Sequence, residues 1–110
     1  MVLGKILGRS TSAPAPLNID SDLFPEVLYV TYHEASDRYG CYRYEGVHGL
    51  ACFSNEELAW RWIERSKFTE VSVLKRSFDE VWDIARARPS PVTAILLLDR
   101  MDNPKIHYIR

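Results

Sequence analysis

The 110-residue chain is poor in the residues that announce a specialised chemistry. Its two cysteines, Cys41 and Cys52, are too few for a disulfide scaffold and form no Cys-x-x-Cys pair. The three histidines, His33, His48 and His107, make no His-x-x-x-His pair, so spacing gives no zinc signature. Five scattered glycines do not supply the clustered amides of a phosphate-cradling loop. No apolar run exceeds five residues, far below the roughly 20 that cross a bilayer as a helix. An excess of one charge is missing too. Fourteen basic residues face 15 acidic ones for a net charge of −1, which removes the field that would gather a phosphate backbone. Nucleic acid is therefore disfavoured as a partner, and neither a metal nor an organic cofactor is called for.

What is present is the composition of a folded protein. With 46% hydrophobic and 26% charged residues, the chain is too apolar for disorder. A chain of this length buries roughly two thirds of its unfolded surface, enough for one core without staples. The opening Met1–Arg9 holds a short apolar stretch broken by Lys5, which reads neither as a signal sequence nor as a membrane span. Val2 stands where myristoylation needs glycine. Together with a cysteine count too low for a disulfide scaffold, this predicts a cytoplasmic setting in a bacterium, with reduced thiols.

Residues 10–18 combine small polar residues with Pro14 and Pro16, and read as an extended linker. The chain is thus divided into an N-terminal arm and Pro-rich linker, 1–20, and a single α+β domain, 21–110. Val2, Leu3, Ile6 and Leu7 would share one face of a short helix, so the arm is either a frayed terminus or a segment that docks on a partner.

Within the domain, residues 27–33, rich in β-branched and aromatic side chains, predict a strand. Residues 39–44 and 49–53 predict two more, joined by Glu45-Gly46-Val47-His48. At Ser54 the period changes. Ser54-Asn55-Glu56-Glu57 fits a capping box with Ser54 as the cap, and Leu58, Ala59, Trp62 and Ile63 form a helical stripe ending near Ser66. The junction from Phe53 through Ser54 to Glu57 and Ala59 is similar to strand-to-helix junctions of several small bacterial modules, and implies no family. A strand over 69–74 follows. A second box, Ser77-Phe78-Asp79-Glu80, opens a helix whose Phe78, Val81, Trp82 and Ala85 face the core and which Pro89 and Pro91 forbid from continuing. Residues 92–98 predict a central strand covered on at least one face, and 106–109 a closing strand. The expected order is β-β-β-α-β-α-β-β: a mainly antiparallel sheet of five to six strands with both helices packed on one face.

The most unusual local composition is Arg38, Tyr39, Tyr42, Arg43 and Tyr44, with His48 close behind. Tyrosine offers contact area at low entropy cost and arginine offers planar donors, and both are enriched at interfaces. The competing account is a hairpin with aromatic cross-strand pairs. Trp60 falls at the margin of the first helical stripe, as a lid over the core edge or an exposed interface residue. These seven residues are the candidate binding set. No catalytic set is assigned, because no nucleophile, base and orienting group come together in a recognisable signature. Asp99, Asp102 and Asn103 read as turn chemistry and not as a calcium loop. The favoured reading is a small non-enzymatic interaction or regulatory module that binds a protein partner or itself through the Tyr/Arg hairpin. The alternative is a small enzyme or small-molecule binder with a Tyr/His/Cys-lined pocket between hairpin and helices.

Overall fold

The computed structural model describes residues 24–87 and 92–109. The arm and linker of residues 1–20, and Pro89 and Pro91, lie outside the described residues. The elements run β1 (Val27–His33), a 3₁₀ turn (Glu34–Ser36), β2 (Arg38–Tyr39), β3 (Cys41–Tyr44), β4 (Val47–Phe53), α1 (Glu56–Ser66), β5 (Val71–Ser77), α2 (Phe78–Ala87), β6 (Ala94–Leu97) and β7 (Lys105–Tyr108). This is an α+β fold in which two helices pack against a mostly antiparallel sheet. Seven strands replace the expected five to six because the strand expected over 39–44 is divided at Gly40.

The division has a geometric cause. β1 pairs along its whole length with β5 on one edge, from Val27↔Ser77 to His33↔Val71. Its other edge meets β4 only at Tyr29↔Phe53 and Val30↔Cys52. Beyond those rungs β1 and β4 part, and the strand from Arg38 to Tyr44 fills the gap. Its first half, β2, pairs with β1 through Tyr32↔Tyr39 and His33↔Arg38. Its second half, β3, pairs with β4 from Cys41↔Leu50 to Tyr44↔Val47. At the apex, Gly40 N–H donates to Thr31 O at 3.0 Å and Gly40 O accepts from Ala51 N–H at 2.9 Å, so one residue bridges both sides. Glycine is required there by close approach: a Cβ would overlap Thr31 Oγ1 and stand 3.0 Å from Trp62 Cζ3. The remainder of the sheet is β6, parallel to β4, with β7 antiparallel at the far edge.

Alternation along the strands sends side chains to two faces, and both are apolar. Leu28, Val30, Leu50, Cys52, Ile95 and Leu97 share one buried cluster with Val81 and Ala85 of α2. Ala51, Phe53, Ala94, Leu96 and Ile106 share the other with Ala59 and Trp62 of α1. The helices therefore lie on opposite faces, not on one. The reason is the near-continuous apolar composition of β4 and β6, which presents a hydrophobic surface on each side that needs cover. The route fits this. The chain crosses one face as α1 to reach the β5 edge and returns over the other as α2 to set β6 beside β4.

The turns and caps differ from expectation in instructive ways. The hairpin between β3 and β4 is the two-residue Glu45-Gly46, both with positive φ (47° and 84°), so Val47 and His48 belong to β4. For α1 the N-cap is Asn55 instead of Ser54: its side-chain oxygen accepts from Leu58 N–H at 2.9 Å. Glu57, freed from reaching back, pairs with Arg61 one turn on. Ser54 serves otherwise, its N–H donating to Asp99 Oδ1 at 2.9 Å. The second box forms as expected, with Glu80 N–H donating to Ser77 Oγ and Ser77 N–H donating to Glu80 Oε1. These bonds from Ser77 hold the Glu80 carboxyl below its ordinary pKa.

Candidate functional site

The candidate residues of the hairpin do not form one surface. Tyr42 and Tyr44 lie on the α1 face, half-buried against the cluster of Val47, Ala94 and Leu96. Tyr42 stands opposite Gly49, and in the same row Ala94 stands opposite Tyr108, so two small residues lie between two tyrosines. Tyr44 donates to Asp102 O at 3.4 Å; desolvation, and then the neighbouring Glu45, raise its pKa. Arg43 is exposed and stands opposite His48 on the other face. His48 is half-buried with its Nδ1 out of reach of any partner among the described residues, while its carbonyl accepts from Thr93 N–H at 2.9 Å. Trp60 is 42% exposed on α1, with Nε1 donating to Glu56 Oε2 at 3.3 Å. It lies outside the core and far along the chain from the hairpin.

Arg38 and Tyr39 are placed differently. They border a cavity of about 420 Å³ at the fork, where β1 and β2 leave β4 and the end of α1 passes over the opening. Its floor is Thr31 and Gly40, and one wall is the β1–β2 turn with His33 and Ser36. The opposite wall is the α1–β5 connection, with Lys67, Phe68, Thr69 and Val71. Three segments distant in sequence thus converge, a size and construction in the range of small-ligand pockets.

Each wall is fixed by its own local chemistry. Tyr39 packs on Tyr32 with ring centroids 4.9 Å apart, and Tyr32 O–H donates to Asp37 at 2.9 Å, which raises the Tyr32 pKa. Asp37 itself closes the 3₁₀ turn with φ 54°, its N–H donating to Glu34 O at 3.1 Å. His33 Nδ1 and Ser36 Oγ lie 2.6 Å apart across that turn. On the other side Lys67 ends α1 in the left-handed region, with φ 61°. The next ring, Phe68, is 44% exposed yet stands edge-on to Trp62 at 5.2 Å, so it is oriented while remaining accessible.

No family model, curated protein or solved structure matches the chain. The site is therefore read from its own geometry.

Two other depressions carry less. One of about 350 Å³ lies in the β6–β7 turn, where Asp99 accepts from Ser54 and Arg100 pairs with Asp102 at 3.4 Å, so its polar groups are spent on the turn. Another of about 660 Å³ opens between Phe24–Val27 and Ser77–Asp79, with Glu26 and Asp79 as its charged residues. Among the described residues no group of three or more His, Cys, Asp or Glu side chains could hold a metal ion. Neither cysteine lines the fork cavity. Cys52 is buried in the sheet core and desolvation pushes its thiol far up, out of reach of thiolate chemistry at neutral pH.

Of the residues that border this cavity, the sequence singled out Arg38 and Tyr39 for binding, and not His33, Ser36, Lys67, Phe68 or Thr69. The single local signal was Lys67-Phe68: a charged and an aromatic residue just past the end of a helical stripe, where the chain must turn. Nothing in the sequence tied that turn to Arg38.

Proposed function

We propose that this chain is a small non-enzymatic binding module whose ligand, a small molecule or a side chain presented by a partner, seats in the cavity at the sheet fork. The observation that carries this reading is the convergence of Arg38, Lys67 and Phe68 on one opening of about 420 Å³, which Tyr39 borders while packing against the cluster of Leu28, Val30 and Leu50. It narrows the Tyr/Arg hairpin to its first two residues. Tyr42 and Tyr44 pack on the sheet, and Arg43 and His48 project from the opposite face, so they contribute to the hairpin and not to this opening.

A catalytic reading has one observation in its favour, the 2.6 Å approach of His33 Nδ1 to Ser36 Oγ beside the cavity. A nucleophile–base pair also needs a third group to orient the imidazole. Among the described residues no carboxylate bonds to His33, and the Ser36 hydroxyl lies at 3.5 Å from the His33 carbonyl as well. The pair spans three residues of a single turn, which is the geometry of a turn lock.

A fragment screen by ligand-detected NMR tests the reading. Hits should be lost in Thr69→Trp, which fills the cavity, and kept in Tyr42→Ala. Hits that survive Thr69→Trp would place binding elsewhere. Hydrolysis of an activated ester that disappears in Ser36→Ala would overturn the non-enzymatic reading.

A further inference from the structure

We infer that the fork cavity is an anion site, taking a compact carboxylate or phosphate monoester that carries an apolar ring. This rests on the cavity being the binding site, and it adds the class of ligand.

Charge comes first. Arg38 from β2 and Lys67 from the end of α1 border the same opening, and among the described residues no carboxylate does. Among the described residues the ion pairs are Arg61–Glu57 and Arg100–Asp102, so neither Arg38 nor Lys67 spends its charge within the fold. Three acidic residues lie near in sequence. Asp37 accepts from Tyr32 O–H, and Glu34 and Glu70 are exposed and outside the walls. An anion seated in this concavity would meet two cations that have no ion-pair partner among the described residues.

Donors and shape agree. Thr69 adds a hydroxyl on one wall, and Arg38 on the other offers the planar fork that matches carboxylate and phosphate oxygens. The end of α1 would normally oppose an anion through its free carbonyls. Here two of the last carbonyls are already engaged, which lessens that opposition: Lys67 N–H donates to Glu64 O at 3.1 Å and Phe68 N–H to Ile63 O at 3.2 Å. The accessible Phe68 ring and Val71 supply an apolar surface beside the charge, which calls for a ligand with an apolar part.

The test is a ¹⁵N chemical-shift titration of the full chain with benzoate, phenyl phosphate and the neutral benzamide. The amides of Gly40, Lys67, Phe68 and Thr69 should move saturably with the two acids. Benzamide should bind at least about fivefold more weakly, since charge-assisted bonds are roughly twice as strong as neutral ones. Lys67→Gln and Arg38→Gln, both at exposed positions, should each weaken the acids about three- to tenfold and benzamide clearly less, and added salt should weaken the acids more than benzamide. The ratio of phenyl phosphate to benzoate affinity then distinguishes a phosphate from a carboxylate source. Equal binding of benzamide would overturn the anion assignment while leaving the cavity as the site. If no probe moves these four amides, the cavity itself fails as the binding site.

Discussion

The apex of the fork offers the sharpest test of the fold. In Gly40→Ala the new methyl group would overlap Thr31 Oγ1 and press on Trp62 at 3.0 Å and 3.2 Å. Thr31 is 1% exposed and Trp62 4%, so neither can swing into solvent. The backbone cannot retreat either, because Gly40 is bonded to Thr31 on one side and Ala51 on the other. Overpacking of this kind costs about 1–3 kcal/mol. For a domain of this size that corresponds to a Tm drop on the order of 10 °C. Gly46→Ala is the control: φ is +84° but no atom lies within 4 Å of the added Cβ. Its cost of roughly 1 kcal/mol comes from backbone conformation alone. The decisive measurement is a double-mutant cycle by urea unfolding, followed by tryptophan fluorescence. Thr31→Ala removes the hydroxyl that the new methyl would strike, so it should recover about 1–2 kcal/mol of the Gly40→Ala loss and none of the Gly46→Ala loss. Additivity of Gly40→Ala with Thr31→Ala, or a Gly40→Ala protein within about 0.5 kcal/mol of the parent, would refute the close-approach account.

Three further outcomes are expected. Capping residues should separate cleanly by alanine scanning and thermal melts: Ser77→Ala and Asn55→Ala each cost about 1 kcal/mol. Ser54→Ala should be nearly neutral, because Ser54 contributes its backbone N–H to Asp99. For pH, His107 is held below its usual value near 6.5 by desolvation among Phe24, Phe78 and Trp82. The unfolded chain takes up that proton first, so stability is full above about 6.5 and falls as pH drops through it; urea midpoints should show this limb, and His107→Phe should flatten it. Glu80 is also held low, so its contribution is present above about 4.5 and lost below; Glu80→Gln should alter that lower limb alone. Finally, thiol labelling of the native protein should modify Cys52 only at the rate of unfolding, and rapid labelling of Cys52 would contradict its burial.

Much of the element order was legible because local signals are strong here. Period changes located both helices, and Ser77 with Glu80 gave a true capping box. The failures share one cause: local pattern does not carry tertiary partners. Ser54 and Asn55 are both competent caps; Asn55 takes the role, and Asp99, 45 residues away, takes the Ser54 amide that Glu57 would have reached in a capping box at Ser54. The strand from Arg38 to Tyr44 reads as uniform, yet it changes partner at Gly40, which no propensity records. The apolar run at 92–98 predicted cover on at least one face; the fold covers both, because β4 and β6 each present apolar side chains in both directions. Of the candidate cavity's border, only Arg38 and Tyr39 stood out in the sequence. Its other wall belongs to a turn some thirty residues downstream, joined to them by the fold and by nothing in the local sequence.

The shared strand also couples two registers that would otherwise be independent. One stretch of backbone is templated by β1 at one end and by β4 at the other, with a single bridging residue between. A slip of one residue against either neighbour would turn Tyr39 and Cys41 to the wrong face together with Tyr42 and Tyr44. Neither half of the sheet can settle its alignment alone. The fork thus acts as a keyed joint, and the opening beside it inherits walls whose spacing is set by both halves at once.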